Sequence, residues 1–340
     1  GLISPFLIRL VGLSMVDPLL RIEGLHTYFS TEDGIVKAVS GLDLTLSEGE
    51  TLGLVGESGC GKSVTALSIM RLVQQPAGRI VRGRIIFEDN DLAGLTDEEM
   101  RHIRGNRISM IFQEPMTSLN PVFKIGNQIA ETYQLHQGLR HRVALQRSIE
   151  ILAKVGIPDP AKRINEYPHQ MSGGMRQRVM IAMALACNPD VIIADEPTTA
   201  LDVTIQSQIL DLMNQLKLDF GASILLITHD LGVVAEMAQR VAVMYAGKIV
   251  EQARVVDLFA EPKHPYTLGL MASIPKLDEP VPPDRILKTI PGVVPSLRDL
   301  PPGCAFQDRC SRGVERCLKE VPIIVNLGSD HQVRCWLYAG

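Results

Sequence analysis

The sequence runs Gly56-Glu57-Ser58-Gly59-Cys60-Gly61-Lys62-Ser63 between a short apolar run and a stretch with helical spacing. This is the phosphate-loop pattern G-x-x-x-x-G-K-S/T, in which glycines let backbone N–H groups surround a β-phosphate without a Cβ clash. The helix that follows directs the positive end of its dipole at the phosphates. Lys62 supplies a charge to the phosphate oxygens, and Ser63 supplies a ligand for Mg²⁺. The stretch therefore predicts a strand over 51–55, then a nucleotide-binding loop, and then a helix over 63–72. Val64, directly after the loop motif, is counted among the nucleotide-binding residues.

A second motif begins with the apolar run 191–194, which ends in the carboxylates Asp195 and Glu196. Short, nearly all-apolar runs, here and at 224–228, suit parallel strands that are buried on both faces. Asp195 is placed to hold the Mg²⁺ shell, and Glu196 to act as general base on the attacking water. With helical spacing between the two runs, the pattern predicts an α/β core with right-handed crossovers.

The region between these motifs has a different character. Charged segments with helical spacing occupy 97–104 and 142–155, and prolines interrupt the chain around them. This predicts a mainly helical insertion over about 94–170. Ser172 is then well placed as the N-cap of a helix that runs to Ala186.

Composition bounds the remaining possibilities. The chain has 340 residues, 46% of them hydrophobic, so it can bury a large core, which excludes global disorder. A net charge of −4 and an aromatic content of 4% exclude a dedicated nucleic-acid binder. No apolar run reaches the ~18–20 residues that span a bilayer. Residues 1–14 are interpreted as a leader or an added segment, with Met15 as the natural start.

The stretch Met171-Ser172-Gly173-Gly174-Met175-Arg176-Gln177-Arg178 resembles the signature motif of ATP-binding cassette (ABC) transporter ATPases. The resemblance covers about residues 20–260, with several motifs in family order. It implies an ABC-type phosphate-loop NTPase of the α/β class, with an ATPase domain over 15–260 and a helical subdomain at about 114–175. A Ser-Gly-Gly turn at a helix start is a second anion cradle, so two subunits facing head to tail would enclose ATP between them. The fifth motif position, often Gln in the family, is Met175 here.

The same resemblance implies roles for further residues. Phe29 corresponds to the aromatic that stacks on adenine, and Gln113 to the glutamine that touches Mg²⁺ and the attacking water. Asp202 lies in the loop that crosses the dimer interface. His229 corresponds to the histidine that contacts the γ-phosphate. The catalytic set is then Glu196, His229 and Lys62, and the Mg²⁺ set is Ser63, Gln113 and Asp195.

Two stretches, 114–121 and 264–267, resemble the dipeptide and oligopeptide importer branch of the family. In that branch the segment after the glutamine receives a short helix of the membrane subunit. The implied partners are two transmembrane permease subunits, a second ATPase subunit (a paralogue or this same chain), and a periplasmic or extracellular peptide-binding protein. The implied location is the cytoplasmic face of the bacterial membrane. The alternatives are an importer ATPase for a metal or a sugar, and a soluble ABC protein outside transport.

The proline-rich C-terminal region, 261–340, forms a predicted appendix with four cysteines: Cys304, Cys310, Cys317 and Cys335. A reducing cytosol disfavours disulfides, and structural zinc usually shows C-x2-4-C knuckles, which are absent. An iron–sulfur cluster needs four thiolates and tolerates varied spacing. Four arginines nearby in the sequence are placed to offset the negative charge of such a cluster: Arg309, Arg312, Arg316 and Arg334. The importer resemblance also implies a 4Fe-4S cluster on these four cysteines, with zinc as the alternative. Cys60 and Cys187 are interpreted as ordinary buried thiols.

Overall fold

The computed structural model describes residues 17–114, 118–199, 201–273, 289–328 and 330–339. The predicted leader 1–14, residues 115–117 of the importer-like stretch, Ala200, and the prolines between 275 and 283 lie outside the described residues. Within the described ranges, no helix combines the length and the apolar character that a membrane crossing needs.

Helices and strands alternate along most of the described chain. The helices are α1 (Lys62–Ile69), α2 (Asp97–Ile103), α3 (Ile125–Gln137), α4 (His141–Lys154), α5 (Pro160–Arg163), α6 (Gly173–Leu185), α7 (Val203–Phe220), α8 (Leu231–Met237), α9 (Val255–Ala260), α10 (Pro265–Ala272) and α11 (Arg316–Lys319). The strands are β1 (Leu20–Thr31), β2 (Gly34–Leu46), β3 (Thr51–Val55), β4 (Gly78–Phe87), β5 (Asn90–Asp91), β6 (Ile108–Ile111), β7 (Val191–Asp195), β8 (Ser223–Thr228), β9 (Arg240–Tyr245), β10 (Lys248–Arg254), β11 (Ile324–Asn326) and β12 (Gln332–Arg334).

The main sheet has eight strands in the order β11-β12-β10-β9-β3-β8-β7-β6. The five strands from β9 to β6 are parallel, and the other three add antiparallel at one edge. This confirms the predicted α/β core with parallel strands at 191–194 and 224–228. Because β3, β8, β7 and β6 are neighbours, the loops after their carboxyl ends lie together, which is where open α/β sheets bind ligands.

Side-chain alternation along the central strands assigns each face of the sheet to a different core. Val191 and Ile193 pack with α1 and the smaller antiparallel sheet, whose order is β2-β1-β4-β5. Ile192 and Ala194, one residue out of step, pack with the helices α3, α4, α6 and α7. Helices α3 and α4 of the insertion thus cover part of one face of the sheet. The region 94–170 is mainly helical, as predicted, although the short strand β6 also lies within it.

The C-terminal region is less separate than a boundary at residue 260 suggests. Strand β12 pairs with β10, where Val333 lies opposite Glu251, and β11 extends the sheet beyond it. Phe306 and Tyr266 pack against Tyr245 of β9, with ring centroids between 4.6 and 5.5 Å apart. Strands of three residues are too short to show a period of two, so the sequence did not predict β11 and β12.

Candidate functional site

The phosphate loop is packed tightly by its neighbours. A Cβ at Gly56 would collide with the carbonyl oxygen of Met244, and one at Gly61 with that of Ala38. Both glycines also have positive φ, 157° and 112°, a conformation that other residues rarely adopt. Lys62 is a buried residue, 5% exposed, and its ammonium group donates to the carbonyl oxygens of Gly56, at 2.7 Å, and Glu57, at 3.2 Å. The backbone carbonyl groups of the loop therefore fix the position of the lysine side chain.

The remaining residues in and next to the phosphate loop differ in how far they are exposed. Ser58 and Gly59 are exposed, and space around Gly59 is open. Cys60 is fully buried, and burial raises the pKa of its thiol. The Cys60 side chain therefore belongs to the core. Val64 is partly buried against the same core.

Asp195, at the end of β7, lies beside Ser63 at the start of α1. Burial raises the pKa of the Asp195 carboxyl, and the hydrogen bond from the Ser63 hydroxyl opposes that shift. Asp195 is 4% exposed, and its Oδ1 has no hydrogen-bond partner among the described residues. A buried, unpartnered carboxylate oxygen next to a hydroxyl suits a hard cation such as Mg²⁺. These residues fit a magnesium-bound triphosphate.

Glu196 is the centre of a hydrogen-bonded group. Its Oε2 accepts from Gln113 Nε2 at 3.1 Å and from the Thr199 hydroxyl at 2.8 Å. Its Oε1 lies 3.3 Å from His229 Nδ1. Glu196 itself has a φ of 48°, held by a hydrogen bond from its N–H to Ile227 of β8. Strained backbone of this kind concentrates at functional sites, where surrounding contacts maintain it.

The structure thus brings together Gln113, Glu196 and His229, which follow three neighbouring strands. Gln113 is exposed, and the His229 side chain is 62% exposed, so both can reach a ligand. Thr199 was missed by sequence reasoning. Its only signal is its place in the turn after Glu196, where its N–H bonds back to the Glu196 carbonyl oxygen at 3.1 Å.

Phe29 lies on β1, far along the chain from the residues that follow these strands. Its ring lies over Gly78, where a Cβ would come within 2.5 Å of Phe29 Cε1. The phenyl ring is half-buried, so one part of it stays available to a flat ligand.

The Ser-Gly-Gly turn and the loop ending at Asp202 form one unit. Ser172 caps α6 by accepting from Met175 N at 3.3 Å, and Asp202 caps α7 by accepting from Ile205 N at 3.0 Å. Gly174 faces Ile205, whose Cγ2 would lie 2.9 Å from a Cβ at that glycine. Met175 packs partly buried against the helical core.

The four C-terminal cysteines are all described. Burial, and then the charges of the other three cysteines, raise the pKa of Cys304 to about 11. In the described ranges, however, no three His, Cys, Asp or Glu side chains are arranged to hold a metal ion. Arg309 binds Glu57, and Arg316 stacks on Trp336 at 3.6 Å. Both arginines thus have partners of their own, and their compensation of a cluster charge stays a prediction.

A phosphate loop after β3, two carboxylates at the end of β7 in the same parallel sheet, and a helical layer on the face of that sheet opposite α1 together define an ATP-binding cassette. The family model described as ABC transporter matches residues 39–199, and that described as oligopeptide/dipeptide transporter, C-terminal region, matches residues 250–317.

Relatives extend these matches over most of the chain. A putative peptide import ATP-binding protein of Brucella abortus (strain 2308) is 54% identical, covering 94% of this chain and 97% of its own length. The oligopeptide transport ATP-binding protein AppD of Bacillus subtilis (strain 168) is 53% identical, covering 95% and 98%. A dimeric post-hydrolysis structure of the ATP-binding cassette MJ0796 bound to ADP and Pi matches 69% of this chain and 98% of its own, with a TM-score of 0.62 and 26% identity. The chain belongs to the ABC transporter family, among the oligopeptide/dipeptide transport ATP-binding proteins.

Proposed function

We propose that this chain is the ATP-hydrolysing subunit that powers import of dipeptides and oligopeptides across the cytoplasmic membrane. The observation that carries the proposal is the placement of Lys62 in the loop after β3, and of Asp195 and Glu196 at the end of β7 in the same parallel sheet, in a chain whose C-terminal region matches the peptide-transporter model. Relatives named for peptide import and oligopeptide transport support the substrate class.

The geometry suits in-line attack of water on a γ-phosphate. Glu196 accepts the proton of the water, and the donors Gln113 and Thr199 fix the direction of its carboxylate. The positive charge of Lys62 stabilises the negative charge on the phosphate oxygens. Ser63 and Asp195 would hold Mg²⁺, which supplies positive charge to the same oxygens when it is bound. The exposed imidazole of His229, held beside Glu196, can reach the γ-phosphate.

The test of this mechanism is the change Glu196→Gln, which keeps the shape of the side chain and removes its basicity. We expect phosphate release to fall at least about 100-fold while ATP still binds, because general-base catalysis contributes 10²–10⁴-fold. The variant should accumulate as an ATP-bound dimer, measured by size exclusion. Asp211→Asn, on the exposed face of α7, is the control. Hydrolysis by Glu196→Gln at the normal rate would falsify the role of Glu196.

The second half of each ATP site comes from another ATPase subunit in this proposal. Ser172, Gly173 and Gly174 present a helix N-terminus and a hydroxyl to the partner's nucleotide. Asp202, which caps the adjacent helix, crosses the interface beside them. The dimeric post-hydrolysis cassette supports this arrangement. The partner is either a second copy or a paralogue, and co-expression of both candidates followed by ATP-dependent crosslinking distinguishes them.

Exposed apolar side chains suit the proposed contact with permease subunits. A cavity of about 300 Å³ is lined by Phe112, Leu119, Leu135 and Met183. Leu135 is 72% exposed, and Phe112 is 38% exposed. Apolar surface of this kind marks a protein interaction site, here for a helix of the membrane subunit. In this assembly the chain lies on the cytoplasmic face of the membrane, and a periplasmic or extracellular binding protein delivers the peptide.

We also propose a 4Fe-4S cluster on Cys304, Cys310, Cys317 and Cys335, with Zn²⁺ as the alternative. Its support is that neighbouring cysteines contribute to raising the pKa of Cys304, Cys310 and Cys335, so the thiols lie near one another. Among the described residues the side chains are not arranged around a metal ion. Anaerobically prepared protein should show a broad visible absorption shoulder with iron and sulfide present. Cys317→Ser should remove that shoulder and Cys187→Ser should keep it, whereas a colourless zinc protein would exclude the cluster.

A further inference from the structure

The C-terminal region contacts the phosphate loop directly, at a position where the loop motif accepts any residue type. Glu57 occupies the second position of G-x-x-x-x-G-K-S. Its carboxylate accepts two hydrogen bonds from Arg309, one from each terminal nitrogen, at 2.7 and 3.0 Å. Its backbone N–H donates to the Tyr266 hydroxyl at 2.8 Å. Its backbone carbonyl accepts from Lys62 at 3.2 Å. One residue thus links the C-terminal region to the phosphate-binding lysine.

Arg309 is built rigidly into this contact. Its side chain is 4% exposed, and its Nε donates to the Pro291 carbonyl oxygen at 3.0 Å. The guanidinium also lies over the rings of Tyr245 and Phe306, within 6 Å of their centroids. A planar fork that binds both oxygens of a carboxylate fixes its orientation, which a lysine cannot do.

Tyr266 is likewise fixed by burial and by a hydrogen bond. It is fully buried, and its N–H donates to Nδ1 of His264, which caps α10, at 3.0 Å. Burial lowers the pKa of His264 to about 3, so the ring stays neutral and able to accept at physiological pH. The stretch 264–267, singled out from the sequence, therefore also supports the phosphate loop.

We propose that Arg309 is a positioning residue for ATP: it neutralises and orients Glu57, so that the loop presents Lys62 and not an uncompensated carboxylate to the triphosphate. A free carboxylate on the loop would repel a phosphate chain at close range. The inference rests on the proposed function, because it requires that ATP binds this loop. It assigns the C-terminal region a direct part in nucleotide affinity.

The test measures the affinity for a fluorescent ATP analogue with Mg²⁺, together with KM and kcat for hydrolysis. Arg309→Met should weaken binding and raise KM about tenfold, which corresponds to about 1.4 kcal/mol, while kcat at saturating ATP changes much less. The loss should shrink in 1 M salt, where the Debye length is about 3 Å. Arg298→Met is the matched control, since Arg298 is an exposed arginine of the same region that pairs with Asp299.

The decisive variant combines Arg309→Met with Glu57→Gln. Removing the carboxylate charge should restore affinity to within about threefold of the wild type, because the repulsion disappears. A merely structural defect would not be rescued in this way. If Arg309→Met fails to give a cooperative thermal transition, Arg309→Gln, which keeps a hydrogen bond but no charge, replaces it in the same cycle.

Two results would overturn the inference: wild-type affinity in the single variant, or a double variant no better than the single one. Failure of the proposed function itself is separate, since the wild-type chain would then show no binding of the analogue.

Discussion

Asp195 shows how the burial of a single carboxyl group acts on stability. Its pKa is raised by burial, so the folded protein holds that proton more tightly than the unfolded chain does. Stability therefore decreases as pH rises from the pKa of the unfolded chain through the raised pKa, and above that range the carboxylate destabilises the fold. One of its oxygens has no partner among the described residues that could offset this.

We expect Asp195→Asn to raise the free energy of unfolding by about 1 kcal/mol in the absence of Mg²⁺ and nucleotide, because an unsatisfied buried charge is removed. The same change should abolish Mg²⁺-dependent ATP hydrolysis. Thermal melts at pH 7, with and without Mg-ATP, measure both effects on stability, and Asp211→Asn serves as the exposed control. A lower melting temperature for Asp195→Asn would contradict the assignment.

At this scale the sequence predicted much of the site, for a physical reason. Lys62, Asp195 and Glu196 belong to contiguous motifs in which strand, loop and helix are adjacent, so local patterns place them. Thr199 and Arg309 could not be found in this way. Arg309 lies 252 residues from Glu57 along the chain, and only the folded C-terminal region brings them together.

Among the elements, α6 is a helix whose first residues have a low intrinsic preference for helix. Two glycines open this helix, although glycine costs about 1 kcal/mol relative to alanine in a helix interior. The structure explains Gly174, because Ile205 of α7 approaches its Cα too closely for a side chain. The glycine thus permits the Ser-Gly-Gly turn to lie against the helix capped by Asp202.

Gly174→Ala should therefore destabilise the protein by about 1 kcal/mol, because overpacking forces Ile205 to move. Helix propensity alone predicts the opposite sign, since alanine favours a helix more than glycine does. The double change Gly174→Ala, Ile205→Ala provides the space and should recover stability relative to Ile205→Ala alone. Urea unfolding curves give both free energies. Stabilisation by the single alanine would mean that the two helices separate easily at this point.

Element boundaries show the limits of sequence patterns as well. Helix α1 begins at Lys62, one residue before the predicted start, and Ser172 caps α6 as predicted. The cap at Ser172 was predictable because the hydroxyl and the helix are adjacent in sequence. Strands β11 and β12 were not, since β12 is determined by its pairing with distant β10, and β11 by its pairing with β12, and not by their own composition.

For the molecule as a whole, Glu251 is the junction between the cassette and its C-terminal region. The Glu251 side chain on β10 is fully buried. It accepts from the N–H groups of Lys263 and His264, at 2.7 and 2.9 Å, and lies 2.7 Å from His331 Nε2. Three segments therefore meet on one carboxylate.

Glu251→Ala should lower the free energy of unfolding by about 3 kcal/mol, because two N–H groups and a histidine lose a buried partner. Glu261→Ala, which removes only an exposed pairing with Lys263, should change it by less than about 0.5 kcal/mol. Differential scanning calorimetry compares the two. Equal stability of the two variants would show that the C-terminal region is docked by other contacts.

The contact between Glu57 and Arg309 also has a consequence for synthesis of the chain. A ribosome adds about 5–20 residues per second, so the phosphate loop emerges many seconds before the arginine that orients it. A nascent or prematurely terminated chain would carry a complete loop motif whose acidic residue is still uncompensated. Tight ATP binding would then be acquired only at the end of translation, and half-made chains would be poor competitors for cellular nucleotide.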